Sequence, residues 1–383
     1  MRPISMPDRP VAAAQHLKIA MILPAMNTGG MEVMVLGLSK ELRRRGHEVA
    51  IICTEEIGSL DPQIREAAIP VCVVGAPGIR SVFWPRQLAA ALRAETFDIV
   101  HSHSGIAAKA ARAARLAGVP GVVHTLHGVQ HPLKPLDLGM VLFGAIMTHI
   151  NTGVSQDTVA FYRNWLGAAS SRVAFVQNGI DIAAFRTRRG ANSLRREFGV
   201  PENAFVLGTV GRLDPVKNQS FLIHALKELG PHWHLIVVGD GPLRESLRTL
   251  ASTLGLLDRV HFAGSRRIGV EVYEAFDVFA LSSLSEAMPM AVLESFCARV
   301  PVVTPRVGGL PALLDDGALG LLYAPGDVSG LAAGVLRSRV ETENTRRRVD
   351  AAEATVSRQH STESMATAYE AVYARALSTG GHR

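Results

Sequence analysis

The chain runs twice through the same alternation of short apolar segments, glycine-marked loops and helical stretches, and this repetition limits its fold more than any other feature. The first cycle opens with an apolar segment at Lys18 to Leu23, a loop Asn27-Thr28-Gly29-Gly30 and a helical stretch Met31 to Arg45. A stop at Gly46 and a second segment, Glu48 to Cys53, complete a βαβ unit. Further apolar runs lie at Val71 to Val74, Asp98 to Val100 and Val122-Val123, separated by Ala-rich helical stretches at Gln87 to Ala94 and Ala107 to Ala117. The second cycle opens at Phe205 to Val210 and continues through Leu235 to Val238, Val260 to Phe262, Val278 to Leu281 and Val302-Val303. Short apolar runs alternating with helices predict parallel sheets covered on both faces. At 383 residues and 48% apolar content, the chain has material for two cores. The expected class is α/β, with two Rossmann-like, doubly wound parallel-sheet domains facing a central cleft, since ligands of such sheets sit outside the carboxyl ends of the strands.

The stretch Arg186 to Asn192 is polar and basic without apolar period, and marks the boundary between the cycles. The expected division is a loose tail at 1–16, a first domain at 17–185, a second at 186–360 and a closing helical segment at 361–383. Cys53, Cys72 and Cys297 lie far apart with no CxxC pair, so neither a disulfide framework nor a thiolate zinc site is indicated, and the usage fits a reducing cytoplasm. No apolar run reaches the roughly 18 to 20 residues that span a bilayer. Leu17 to Met26 has the apolarity of a signal-peptide core, yet the small residues Ala12 to Ala14 precede it, so a first core strand is the expectation. A formal charge of +6 suits phosphate ligands or an anionic membrane surface, and the basic run Lys40 to Arg45 is the candidate for the latter. Aromatic residues make up 5% and do not interleave with the basic runs, which argues against nucleic acid as a partner.

The densest chemistry lies in Ser285-Glu286-Ala287-Met288-Pro289-Met290-Ala291-Val292-Leu293-Glu294. It follows the apolar run Val278 to Leu281, and Pro289 is expected at the first helical position, where its missing N–H costs nothing. Glu286 then stands on a strand-to-helix turn, and the free amides of Ala287, Met288 and Met290 point out from the helix start, an arrangement that favours phosphate. Pro289 shapes that turn without donating. Acids beside an anion site imply that the ligand carries hydroxyls as well: sugar for Glu286, ribose for Glu294. Both glutamates also suit a helix start as solvated or capping groups.

Three further loops sit at equivalent places. Gly29 and Gly30 end the first strand and let amides approach a ligand without Cβ obstruction, although the loop is not GxGxxG and has no clean acidic partner. Gly211-Arg212-Leu213-Asp214-Pro215-Val216-Lys217-Asn218 places Arg212 and Lys217 after the first strand of the second cycle, where they can clamp a diphosphate and stabilise charge on a leaving group. Gly239-Asp240-Gly241 is a strand-to-helix turn. Histidines gather in the first half at His101, His103, His124, His127, His131 and His149. A metal reading of His101 and His103 finds no Asp or Glu at ligand spacing. No DxD occurs, so the common acidic site for a nucleotide-bound divalent metal is missing and no metal is expected. His127 sits at a domain edge, where it either donates to a sugar hydroxyl, supports the reacting centre, or is a buried, satisfied histidine.

Together these segments resemble the retaining glycosyltransferase family 4, which has the two-domain GT-B architecture. The likeness runs from Leu17 to Asp327 and includes Thr28-Gly29-Gly30, Thr125 to Gly128, Val154 to Asp157, Asn178 to Asp181, Gly211 to Asn218, Val238 to Pro242, Glu286 to Glu294 and Val307-Gly308-Gly309. The resemblance implies that Glu286 meets the donor sugar, Glu294 holds the ribose hydroxyls, and Arg212 and Lys217 bind the diphosphate. Gly30 matches the family's first-loop glycine, His127 the histidine near the transferred sugar, and Gly264 to Arg267 the segment bordering the base. The family often has Gly-Phe after the first Glu where this chain has Ala287-Met288, a departure that bears on sugar identity. The implied activity is metal-independent transfer, with retention, of a hexose-type sugar from a UDP- or GDP-linked donor. The implied acceptor is a saccharide, a lipid-linked molecule or a small molecule, in polysaccharide or glycoconjugate assembly in the cytoplasm or at the inner face of its membrane. With no second carboxylate evident across the cleft, a front-face reaction is the expected route. Met365 to Ala376 is expected to cross back onto the first domain, as in similar proteins. Rival readings are a GT-B sugar-nucleotide epimerase or phosphorylase, an NAD-dependent dehydrogenase, and a non-catalytic nucleotide-sugar binding subunit.

Overall fold

The computed structural model describes residues 16–75, 85–128, 135–186 and 193–380. Nearly all of the expected tail and of the polar stretch between the cycles falls outside these residues, as does His131. The first sheet holds β1 (Lys18–Ala25), β2 (Glu48–Glu56), β3 (Val71–Val73), β4 (Ile99–His103), β5 (Gly121–Leu126), β6 (Ile150–Gly153) and β7 (Val173–Phe175) in the order β3-β2-β1-β4-β5-β6-β7. The second holds β8 (Phe205–Val210), β9 (Trp233–Val238), β10 (Val260–Gly264), β11 (Val278–Ala280), β12 (Val302–Pro305) and β13 (Leu321–Tyr323) in the order β10-β9-β8-β11-β12-β13. Every pairing within both sheets is parallel. The chain therefore has the expected pair of doubly wound α/β units.

The sequence periods explain the layers. In the helix Gly30–Arg44, Met34, Val35, Leu38 and Leu42 recur at helical spacing and are buried against the sheet, while Gly46, at φ +97°, turns the chain into β2. β1 is buried along Ile19 to Leu23 on both faces, which is why it reads as an unbroken apolar run. Strands β6, β7 and β13 were not anticipated. At three or four residues they are too short to show a period, β6 also carries Asn151 and Thr152, and their pairing with neighbouring strands defines them.

In each sheet the order reverses beside the first strand of the cycle: β1 lies between β2 and β4, and β8 between β9 and β11. Loops leaving neighbouring strands there turn to opposite faces and open a crevice. The two halves are joined where two stretches of chain run side by side. Ile180 N–H donates to His360 O (2.8 Å) and Thr362 N–H donates to Ile180 O (3.1 Å). Gly179 packs against this crossing so closely that a Cβ would stand 2.4 Å from Ser361 O. Beyond it, the helix Thr362–Gly380 lies on the first sheet, with Tyr369 Oη 3.0 Å from Thr125 Oγ1, Tyr373 Oη 2.8 Å from His101 Nδ1, and Glu370 paired to Arg45 at 2.8 Å. On the other side of the crossing, Phe185 packs edge-on to Tyr273 of the second half.

Candidate active site between the two sheets

The loop after β11 brings Glu286 against the loop after β8. Lys217 Nζ donates to Glu286 Oε1 at 2.6 Å, and Ser283 Oγ donates to the same oxygen at 2.6 Å. The Glu286 side chain is 7% exposed and that of Lys217 27%, so the pair sits in a wall and not on open surface. The lysine is itself fixed: its backbone N–H donates to Asp214 Oδ1 (3.0 Å), and its carbonyl accepts from Ser282 Oγ (2.9 Å). Asp214 holds Arg212 as well, through Arg212 Nε to Oδ2 at 2.7 Å. The Arg212 side chain remains 71% exposed and can swing to an anion.

Behind Glu286 the turn is braced by two glycines. Gly309 N–H donates to Glu286 O at 2.8 Å, and a Cβ on Gly309 would stand 1.9 Å from Ala287 O. Gly308, at φ +51°, has the same problem against Glu286 O. Pro289 stands one residue earlier than expected, as the extended cap (ψ 124°) of the helix Met290–Cys297, and its carbonyl accepts from Val292 N–H. Its ring still starts the helix, but with no helical turn of its own. Asn178 Nδ2 donates to Met288 O (3.1 Å), which ties the connector between the halves to the same turn.

Glu294, one turn into that helix, is 5% exposed and accepts from Tyr273 Oη. Burial pushes its carboxyl up to about 7, and the tyrosine's bond only partly offsets this. Across the cleft, a Cβ on Gly30 would meet Met290 Cγ at 3.3 Å, and one on Gly128 would meet Ala287 Cβ at 3.9 Å. The glycine loop and the residue after His127 therefore face the Glu286 turn directly. Gly211 and Gly239 meet back to back: a Cβ on Gly239 would stand 2.0 Å from Gly211 O, and Gly239 N–H donates to Gly264 O at 2.9 Å. Gly264 adopts φ +69° and lies beside Arg244. Arg267 is at the rim, 3.6 Å from Glu66 of the first half.

Two family descriptions match the chain, "Glycosyltransferase Family 4" over residues 28–184 and "Glycosyl transferases group 1" over residues 191–354. The D-inositol 3-phosphate glycosyltransferase of Mycolicibacterium smegmatis is 31% identical over 80% of this chain and 77% of its own length. The chain belongs to the family 4, group 1 glycosyltransferases. The protein of the same description from Corynebacterium efficiens is 29% identical over 91% of both chains. Among solved structures, HepE of Anabaena in complex with UDP and glucose superposes with a TM-score of 0.84 at 24% identity, covering 94% of this chain and all of its own. WaaG, a glycosyltransferase involved in lipopolysaccharide biosynthesis, does so with 0.74 at 18% identity over 93% of this chain and 99% of its own. The fold is GT-B.

In this glycosyltransferase the residues singled out from sequence fall in two groups. Glu286, Lys217, Arg212, Gly211, Ala287, Met288, Pro289, Met290, Glu294, Gly29, Gly30 and His127 line or back the cleft beside the Glu286 turn, whereas Gly264 lies behind Gly211, bonded to Gly239, and Arg267 stands at the rim beside Glu66. Sequence reasoning missed Glu32. It lies in the first turn of the helix Gly30–Arg44, with a carboxylate oxygen 2.4 Å from where a Gly29 Cβ would be, and feels Arg212 from across the cleft. Burial raises its carboxyl, and a bond to its own backbone outweighs the pull of Arg212. A carboxylate therefore does stand in the opposite wall, contrary to the expectation, but it is turned onto its own helix start. Asp214 and Ser283 were also missed, although the acid between Arg212 and Lys217 was the available signal. Among the described residues no group of three or more His, Cys, Asp or Glu is placed to hold a metal ion, and no helix is long and apolar enough to cross a membrane.

Proposed function

We propose that this glycosyltransferase moves a hexose-type sugar, with retention at the anomeric carbon and without a metal, from a UDP-linked donor held against the second sheet. The reading rests foremost on one observation: a buried carboxylate, Glu286, held by Lys217 at 2.6 Å where a glycine loop faces the start of the helix Met290–Cys297. UDP is favoured over GDP because HepE, of the same fold, is seen with UDP and with UDP-glucose, the latter at 25% identity. In the proposed step the bond from the anomeric carbon to the β-phosphate oxygen breaks, its electron pair staying on phosphate beside Arg212 and Lys217. The acceptor oxygen bonds that carbon from the same face and passes its proton to the departing phosphate. Preorganised cations serve this well because the charge they meet is largest as the bond breaks. Glu286 would meet the sugar and Glu294 the ribose, with Gly264 and Arg267 toward the base. The family relation to D-inositol 3-phosphate glycosyltransferases favours a hydroxyl-rich acceptor. Of the basic run, Arg44 and Arg45 are bonded to Glu41, and Arg45 also to Glu370, so docking on an anionic membrane would fall to Lys40 and Arg43. The test is thermal-shift binding of UDP, GDP and ADP, followed by anomer-resolved NMR of the product with chelator present. A ligand of the folded state raises its stability. Stabilisation by UDP alone, reduced in Lys217→Met, together with a retained anomer in chelator, is expected; an inverted product or a strict metal requirement sinks the reading.

A further inference from the structure

β4 and β5 run in register with His103 opposite Thr125, and the chain leaving β5 brings His127 over His103. His103 Nδ1 lies 3.0 Å from His127 Nε2. His103 is wholly buried, and its other nitrogen, Nε2, has no hydrogen-bond partner among the described residues. The ring has little freedom: His101 lies 4.2 Å from it between centroids and is pinned in turn by Thr125 Oγ1 at 2.7 Å and Tyr373 Oη at 2.8 Å. Burial keeps both members of the pair uncharged, holding His103 well below the usual imidazole range and His127 down at about 3.

Two neutral imidazoles in contact share one proton between the facing nitrogens, so only two arrangements exist. In one, His127 Nε2–H donates. His103 must then carry its own proton on Nε2, where a buried N–H finds no acceptor among the described residues. In the other, His103 Nδ1–H donates, and what stays buried at Nε2 is a bare lone pair. Orphaned buried N–H groups are the rarer defect in folded proteins, which favours the second. We propose that His103 is a positioning residue for sugar transfer: by donating from Nδ1 it fixes His127 as the Nδ1–H tautomer, so that His127 offers the cleft a hydrogen-bond donor for a sugar hydroxyl or phosphate oxygen. The tautomer follows from the pair alone; its use in transfer rests on the function proposed above.

Imidazole nitrogen NMR on the whole chain, with 15N-labelled histidine and His127 assigned by its loss in His127→Gln, reads the tautomer directly. A proton on Nδ1 and a bare Nε2 at neutral pH is expected; a proton on His127 Nε2 overturns the proposal. His103→Asn keeps an amide donor near the place of Nδ1, whereas His103→Leu removes it. The leucine variant is expected to lose roughly 10- to 100-fold in kcat with a smaller change in donor KM, a size taken from the partners of metal-binding histidines, and the asparagine variant to recover most of the loss. A folded His103→Leu protein with unchanged kcat refutes the positioning role. Should that variant not fold, the tautomer and the asparagine variant still decide. Absence of transfer from any nucleotide sugar by the unaltered protein would instead count against the proposed function, and would leave the tautomer measurement standing.

Discussion

On the side of the second sheet the cleft is lined with ions, Lys217 on Glu286 and Arg212 on Asp214, each held by a further polar bond. On the side of the first sheet it is lined with Gly29, Gly30, Gly128 and an uncharged imidazole backed by a second one, with the acid Glu32 bonded back onto its own helix start. The first wall is set to meet charge and the other to fit shape. That difference suits the proposed diphosphate to the second half and a neutral, hydroxyl-bearing partner to the first, because a neutral ligand gives little return on the desolvation of a fixed ion.

The contrast can be broken most directly by removing its strongest ion. Lys217→Met is expected to lower kcat by about 10²- to 10³-fold at saturating donor, the usual loss for a preorganised group facing developing charge, whereas His127→Ala should cost visibly less. Steady-state transfer rates check both, and an equal loss in the two variants would erase the distinction between the walls. Next in size is a pH effect on stability at Glu294. Its folded carboxyl lies near 7, above its value of about 4.5 in the unfolded chain, so between these pH values the folded state keeps a proton that the unfolded state gives up. Stability from this group is full below pH about 4.5, falls as pH rises, and levels off above about 7, for a total of about 3 kcal/mol. In denaturant unfolding across that window, Glu294→Gln should flatten the fall.

A smaller effect is expected at the brace. Gly309→Ala forces a Cβ onto the Ala287 carbonyl, and a loss of about 1–3 kcal/mol, typical of overpacking, should appear in thermal unfolding together with weaker UDP binding. At the bottom of the scale, Arg267→Ala removes a rim pair with both side chains more than half exposed, and less than about 0.5 kcal/mol should be lost. A large stability loss there would mean that the rim holds the halves together more firmly than exposed ions do.

The two sheets were legible because strands such as β1, β8 and β9 are buried along their length on both faces and so carry near-continuous apolar runs. The ionic wall was legible because its groups lie on loops at the ends of those strands, marked by Gly211 ahead of Arg212 and Lys217 and by Pro289 after Glu286. What stayed hidden depends on contacts distant in sequence. The burial that shifts Glu294 is completed by Tyr273, 21 residues away. Glu32 reads as an ordinary acid at a helix start, and only the meeting of the halves brings it near Arg212. His103 shows nothing beyond an alternating strand until β5 is laid beside it.

The paired crossing at Ile180 and Ser361 also has a mechanical meaning. Two strips of backbone fastened edge to edge resist being slid past one another, since sliding would break both bonds to Ile180 at once, yet they twist together with little penalty. A rotation about this crossing would keep both bonds, as a door turns on its pin, whereas a shear would break them. Because Tyr369 and Tyr373 clamp the far strip to the first lobe, the pin belongs to that lobe, and any such rotation would carry the second lobe around it.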